Sequence, residues 1–144
     1  MAKRKVALTA TPTATTIDVI DLITTTLDSI EGISFARDAW ENKAPDQYGV
    51  VEMAEEPRVM IADGKVIDET YLLNVTLYVN GAWDSWPETI RAKLENLEAT
   101  YEWLDIGCRL VLHQYDYTIG KVRWTFRLTV PGPLVRTVTV ESGS

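Results

Sequence analysis

The sequence predicts an α+β fold: a mainly antiparallel sheet of about four to five strands with two amphipathic helices packed on one face. Strict alternation of apolar and polar residues marks two long strands, at Tyr71–Val79 and Lys121–Val130. Apolar residues spaced by three and four mark two helices. Because the two strands share an apolar face that must be covered, the helices are expected to pack over it.

The first helix is expected to begin near Thr15 or Thr16, since either hydroxyl can accept a backbone hydrogen bond at a helix start. Gly32 is expected to end this helix. Residues 1–15 are poor in bulky apolar side chains, which is typical of a flexible N-terminal arm.

Two short strands are expected next, at residues 33–40 and 48–53. A hairpin or structured loop is expected at residues 57–69, with its proline closing the preceding strand. Within it, the Asp63-Gly64 pair suits the left-handed positions of a tight turn.

The second helix is expected to open at Ser85, which forms a capping-box pattern with Glu88. A strand at 109–117 then precedes the long C-terminal strand. Residues 16–131 are therefore interpreted as a single domain. Residues 132–144 form a C-terminal tail that alternates again and is suited to adding to a neighbour's sheet.

Composition and charge narrow the classes of function. The 144 residues suit one domain, and the absence of any apolar run of about 20 residues predicts a soluble protein. The net charge of −7 argues against a general nucleic-acid binder, and the single cysteine fits a reducing compartment. Residues 41–69 have eight acids and three bases (3 − 8 = −5), whereas residues 105–144 have three acids and five bases (5 − 3 = +2). This asymmetry indicates either ordinary solvated surface or head-to-tail packing of identical subunits.

The chain offers few residues for catalysis. His113 and Cys108 are five positions apart in one predicted strand, which places them on opposite faces and roughly 16 Å apart if the strand is continuous. No glycine-rich phosphate loop and no metal-ligand spacing is present in the sequence. We therefore predict no enzyme activity, no catalytic residue, no metal and no cofactor.

Features suited to protein contacts are more numerous. Tryptophan is enriched at interface hot spots, although a tryptophan can also anchor a loop to the core. Charged residues at a strand end or on the solvent-exposed face of a strand are the other candidates for contacts with a partner protein. The candidate interface residues are Trp40, Glu55, Glu56, Asp63, Trp83, Trp86, Arg123 and Arg127.

The layout over residues 16–131 resembles that of the tail terminator proteins of long-tailed bacteriophages, also called tail completion or head–tail joining proteins. The resemblance lies in element order and hydrophobic pattern. The segments that carry it are Ile30-Glu31-Gly32, Ala39-Trp40, Tyr48-Gly49-Val50-Val51, Asp63-Gly64, Tyr71–Val79, Trp83-Asp84, Ile90-Arg91-Ala92-Lys93-Leu94 and Trp124-Thr125-Phe126-Arg127-Leu128.

The resemblance implies a structural virion protein. Such proteins form a ring, usually of six copies, on the finished tail tube. They stop tube polymerisation and provide the surface that joins the tail to the head connector. The implied partners are further copies of the chain, the tail tube protein and the head-completion protein. Genomic DNA passes through the lumen without specific binding, and no membrane is involved. The implied location is the tail or neck of the virion, assembled in the host bacterial cytoplasm.

Two other interpretations stay open from the residues. One is another head–tail connector or a tail-tube-like subunit of similar architecture, which would form stacks rather than one ring. The other is a small enzyme or ligand-binding domain with a ferredoxin-like layout. That class needs a concave pocket with clustered polar groups, for which the sequence pattern indicates no residues.

Overall fold

The computed structural model describes residues 12–62, 64–81 and 85–141, within which the chain forms two helices and seven strands. In chain order these are β1 (Pro12–Asp18), α1 (Val19–Asp28), β2 (Ser34–Arg37), β3 (Tyr48–Ala62), β4 (Lys65–Val79), α2 (Trp86–Thr100), β5 (Gly107–Asp116), β6 (Lys121–Pro131) and β7 (Val135–Glu141). Five strands form one sheet in the order β2-β3-β4-β6-β5, antiparallel except for the β2–β3 pair. The predicted α+β class is confirmed.

The hydrophobic core lies between one face of this sheet and the two helices. Alternation along β4 and β6 places Leu73, Val75, Leu77, Val122, Trp124, Phe126, Leu128 and Val130 on the buried face. From the helices, Ile23 and Leu27 of α1 and Ile90 and Leu94 of α2 complete the core. Each such side chain contributes about 1.5–3 kcal/mol relative to an exposed position, so this layer fixes the sheet beneath the helices. Neither helix in the described part of the chain is long and apolar enough to cross a membrane.

The first helix begins later than its threonines predict. Asp18 caps α1, and its Oδ1 accepts hydrogen bonds from the N–H groups of Ile20 at 3.0 Å and Asp21 at 3.2 Å. Thr15 and Thr16 lie in β1 instead. They are extended because β1 pairs with a distant strand, and this pairing overrides the local capping preference.

The two terminal segments pair with each other. β1 and β7 form an antiparallel two-stranded sheet in which Pro12 lies opposite Glu141 and Asp18 opposite Val135. Residues 12–15 of the predicted arm therefore lie in a strand. The predicted C-terminal tail pairs within its own chain instead of adding to a neighbour's sheet. Residues 1–11 and 142–144 lie outside the described residues.

The hairpin expected at residues 57–69 is the tip of the long β3–β4 ribbon. Ala62 pairs with Lys65, and Gly64 has φ +74°, as a tight turn requires; Asp63 lies outside the described residues. Pro57 does not close β3, contrary to expectation. The register with β4 shifts on either side of Glu55, and a proline is tolerated at such bulges.

The second helix starts as predicted but without the predicted cap. Ser85 occupies the capping position and Pro87 lies in the first turn, yet the Ser85 side chain makes no capping hydrogen bond. The carbonyl of Ser85 instead accepts from both the N–H and the hydroxyl of Thr89, at 3.0 and 2.9 Å. The capping box with Glu88 is therefore wrong.

Candidate interaction surface

The sheet face opposite the helices, called here the outer face, is lined by polar side chains. Alternation sends the residues between the core positions to this side. They include Tyr48, Val50 and Glu52 of β3, Asn74, Thr76 and Tyr78 of β4, and Arg123, Thr125 and Arg127 of β6. Neither of the described helices covers this face, because both pack on its opposite side.

The β5–β6 half of the outer face is basic. Arg109 of β5 lies directly opposite Arg127 of β6 in the strand register. Arg123 is two positions further along the same face of β6 than Arg127, and it lies opposite Gln114 of β5. The Nε of Arg127 donates to the amide oxygen of Asn74 at 2.8 Å. None of the three guanidinium groups forms an ion pair with a side chain that the structure describes. Like charges facing each other across strands repel, so this half favours an anionic partner.

The opposite half of the outer face is acidic. Glu52 of β3 and Asp38, just after β2, line the same cavity, and Asp46 lies further along the loop between β2 and β3. Asp46 accepts from Lys121 Nζ at 3.1 Å, and this hydrogen bond holds the pKa of Asp46 below its ordinary value. The charge asymmetry along the sequence thus becomes an asymmetry across much of one sheet, from Glu52 of β3 to the arginines of β5 and β6, while Asp116 at the end of β5 lies on the acidic side.

An open cavity of about 510 Å³ lies on the acidic half, between the β2–β3 loop, the sheet and the β5–β6 turn. Its aromatic wall is a stacked pair, Tyr48 and Tyr78, with ring centroids 4.8 Å apart, and Trp40 meets the edge of Tyr48 at 6.4 Å. Trp40 is held in place by a hydrogen bond from its Nε1 to the carbonyl of Gly49, at 3.2 Å. Carboxylates line it as well, from Asp38, Glu52 and Asp116.

Of the residues that line this cavity, only Trp40 was a candidate from the sequence. The lining residues come from the β2–β3 loop, β3, β4 and the β5–β6 hairpin. No spacing along the chain links these segments, since only the sheet register brings Tyr48 opposite Tyr78. The one usable signal was the pair of tyrosines at polar positions of alternating strands.

The β5 strand is an apolar edge of the sheet. Most of the large apolar side chains exposed on the described residues belong to β5 or the turn after it: Leu110, Val111, Tyr115, Tyr117 and Ile119. β5 pairs with β6 on one side, and no described strand pairs with its other side. A long apolar edge with free backbone groups is suited to pairing with another chain.

A bulge in β5 corrects the expected placement of Cys108 and His113. The register shifts between Leu110 and Leu112, so Cys108 lies opposite Leu128 and His113 opposite Trp124. Both partners belong to the core face, so Cys108 and His113 lie on the same face and not on opposite ones. Their separation along the strand still places them about 16 Å apart, too far for a catalytic pair. His113 instead stacks on Trp124 with ring centroids 3.6 Å apart.

The remaining interface candidates fall in different places. Trp86 is 1% exposed and belongs to the core, so its ring is not presented to a partner in this conformation. Arg123 and Arg127 lie on the outer face, as expected for a wet strand face. Glu55 and Glu56 lie in β3 beside its bulges, with side chains outside what the structure describes. Trp83 is outside the described residues.

The described residues contain no group of three or more His, Cys, Asp or Glu side chains placed to hold a metal ion. The described residues thus form two unlike sides, with a basic apolar edge at β5 and an acidic aromatic cavity beside β3. No family model and no curated protein matches this chain.

Proposed function

We propose that this protein is a phage tail terminator, which forms a ring of usually six copies on the tail tube. The ring stops tube polymerisation and joins the tail to the head connector. The observation that carries the proposal is the two-sided outer face, basic at β5–β6 and acidic at β3. The element order over residues 16–131, which resembles that of the tail terminator family, further supports the proposal.

A subunit with two different and complementary sides can pack head to tail. Such heterologous contacts close into a ring when the rotation between neighbours allows it. Arg109, Arg123 and Arg127 on one side and Asp38 and Glu52 on the other supply opposite charges for this contact. The apolar side chains of β5 supply the surface that leaves water when a neighbour packs against it.

The negative net charge is also compatible with a ring whose lumen DNA passes through. The chain carries a net charge of −7, and an acidic lumen repels the phosphate backbone, so the genome slides without binding. In this proposal the chain performs no catalytic step and takes no cofactor or metal. Its partners are other copies of itself, the tail tube protein and the head-completion protein, and its location is the neck of the virion.

The proposal is tested by electron microscopy of a lysate made without this protein, from a phage that encodes it. Overlong tails without heads are expected. Tails of normal length that fail to join heads would instead favour the connector interpretation, and intact infectious virions would refute both. The mass of the purified protein supplies an independent check: six copies of 16.2 kDa give about 97 kDa.

A further inference from the structure

The cavity beside β3 combines aromatic surfaces with negative charge. Trp40, Tyr48 and Tyr78 present rings to it, and their faces carry the negative part of the aromatic quadrupole. Its volume of about 510 Å³ is within the range of sites that hold a small ligand or a few side chains. Aromatic faces of this kind attract guanidinium and ammonium groups.

The charged side chains that line the cavity are all acidic: Asp38, Glu52 and Asp116. Four cations are near it. Arg37 Nε lies 3.8 Å from Asp38 Oδ2, but its guanidinium also pairs with Asp18 and Asp21 at 2.9 Å. Lys43 is an exposed residue of the β2–β3 loop between the lining residues Asn42 and Ala44. Lys121 is already engaged, because its Nζ lies 3.1 Å from Asp46 Oδ1 and 2.9 Å from Asn80 Oδ1. Arg123 lies opposite Tyr78 in the strand register, outside the lining residues. The lining carboxylates therefore favour a cationic occupant.

The N-terminal segment of this chain has the required chemistry. Lys3, Arg4 and Lys5 are consecutive, and residues 1–11 contain no acidic residue. Residues 12–144 contain the other eleven bases and all 21 acids, a charge of 11 − 21 = −10. The segment is therefore a concentrated source of positive charge in an otherwise acidic chain.

The starting point of the segment, rather than its length, favours the cavity of another copy. Lys3–Lys5 lie seven to nine positions before Pro12, so they reach roughly 23–30 Å from it when extended. Asp18, at the end of β1, bonds Arg37 at 2.9 Å, next to the cavity residue Asp38. The segment starts at the other end of β1, about 20 Å from that corner. The cavity of the same copy therefore lies near the opposite end of β1 from the point where the segment joins that strand.

We infer that the aromatic and acidic cavity binds the basic side chains of Lys3–Lys5 from a second copy of this chain. The contact deepens the proposed ring and rests on it for the presence of the second copy. Asp38 and Glu52 would then bind Lys3–Lys5 alongside the arginines of the neighbour's β5–β6 half. It would lock adjacent subunits together by a segment that crosses from one to the next.

Disulfide trapping between two separately purified full-length variants tests this inference. Both carry Cys108→Ser; one adds Asn42→Cys at the cavity and the other adds Val6→Cys beside the basic residues. One of the two variants carries a tag that raises its mass, so mild oxidation of the mixture is expected to give a mixed dimer that runs between the two homodimers on a non-reducing gel. A matched control replaces Asn42→Cys with Glu95→Cys, an exposed position of α2 on the helix side of the sheet. The control is expected to give about fivefold less mixed dimer, because its thiol gains no effective concentration from binding.

Charge reversal sharpens the test. Adding Asp38→Lys and Glu52→Lys to the Asn42→Cys variant is expected to weaken trapping about tenfold. Equal trapping at Glu95→Cys, or trapping unchanged by charge reversal, would overturn the inference. A single chain carrying both Asn42→Cys and Val6→Cys that closes on itself at high dilution would overturn the assignment to a second copy.

Mass measurements on the unmodified protein separate the two proposals. A particle of about six copies without mixed dimers would refute the cavity contact and leave the ring intact. Mixed dimers from a protein that forms no ring and whose loss leaves tail length normal would refute the tail terminator. The contact would then stand as a pairwise one.

Discussion

The two edges of the five-stranded sheet are built in opposite ways. The β2 edge has four residues, and groups of the same chain cover it: the N–H of Phe35 donates to Asp28 Oδ1 at 2.8 Å. Arg37 at its end pairs with Asp18 and with Asp21, both at 2.9 Å. The β5 edge has ten residues, and Leu110, Val111 and Tyr115 are exposed along it.

The difference indicates a direction in which the sheet can grow. A four-residue edge with an N–H already bonded to a side chain is a poor template for another strand, whereas a long apolar edge is a good one. A subunit with one closed and one open edge favours contacts between unlike sides, as a ring needs.

The largest effect is expected from Gly49→Ala, which disturbs the closed edge. A methyl group at this position would meet the ring of Phe35, which packs over β3 and fixes β2. Because Phe35 is buried, the ring cannot move freely, and the free energy of unfolding should fall by about 1–3 kcal/mol. Urea denaturation measures the change.

Phe35→Leu provides the control for that steric reason. The double variant with Gly49→Ala should lose less free energy of unfolding than the sum of the losses in the two single variants, because the smaller side chain makes room for the methyl group. Additive losses would mean that the glycine is needed for something other than the close approach of the ring.

Val111→Lys tests the open edge. Val111 is 41% exposed at the bulge of β5, and a lysine there places a charge on the surface that a neighbour would cover. The apparent dissociation constant of assembly should rise at least about tenfold, or 1.4 kcal/mol, while the unfolding curve stays close to that of the parent. Ala92→Lys on an exposed position of α2 adds the same charge away from the edge and should leave the mass distribution unchanged.

Reversing the outer-face charges tests the basic half itself. Arg123→Glu combined with Arg127→Glu should weaken assembly about three- to tenfold and leave a folded monomer, since interfacial charges at a rim act mainly on encounter. The neutral double variant Arg123→Gln and Arg127→Gln should assemble more weakly than the parent and more strongly than the charge-reversal variant. Assembly that is equal in all three proteins, measured by mass at matched salt, would remove the charge-patch explanation.

The smallest effect is expected from Arg37→Gln and depends on pH. Burial raises the pKa of Asp18, but the hydrogen bond from Arg37 and the backbone N–H groups outweigh it, so this pKa lies below its ordinary value of 3.8. A lowered pKa in the folded state stabilises the protein above 3.8, and the stabilisation is lost as pH falls through the lower value.

Because both side chains of the Arg37–Asp18 pair are about one-third exposed, the difference in unfolding free energy should be at most about 1 kcal/mol at neutral pH. It should shrink as the pH drops below 3.8. Thermal unfolding at pH 7 and near pH 2.5 measures both limits. Lys43→Gln removes an exposed cation elsewhere, and a similar pH-dependent loss in that variant would indicate a general charge effect.

The parts of the fold that follow from local pattern were predictable. Alternation at Tyr71–Val79 and Lys121–Val130 gave two strands and the side of each that is buried. The Asp63-Gly64 turn correctly placed the hairpin, because a glycine with positive φ is a property of the turn itself. Trp124 in the core follows from the same alternation, since its neighbours on that face are apolar.

The candidate surface was predictable only in part. Arg123 and Arg127 were placed correctly by alternation along β6. The burial of Trp86 was not predicted, because a tryptophan at the start of a helix gives no sign of whether its side chain points into the core. The bulge in β5 also left no mark in the sequence, and it reverses the face of every residue after it, His113 included.

The sequence by itself determined the two helices, the central strands and the side of those strands that is apolar, but not the strand β1. These properties depend on neighbours within a few residues, where spacing and side-chain type suffice. The tertiary structure decided the pairing of β1 with β7, the closed and open edges, and the cavity between Trp40, Tyr48 and Tyr78. Those features depend on strand register between segments far apart in the chain. Register is set by the packing of the whole sheet rather than by any single stretch.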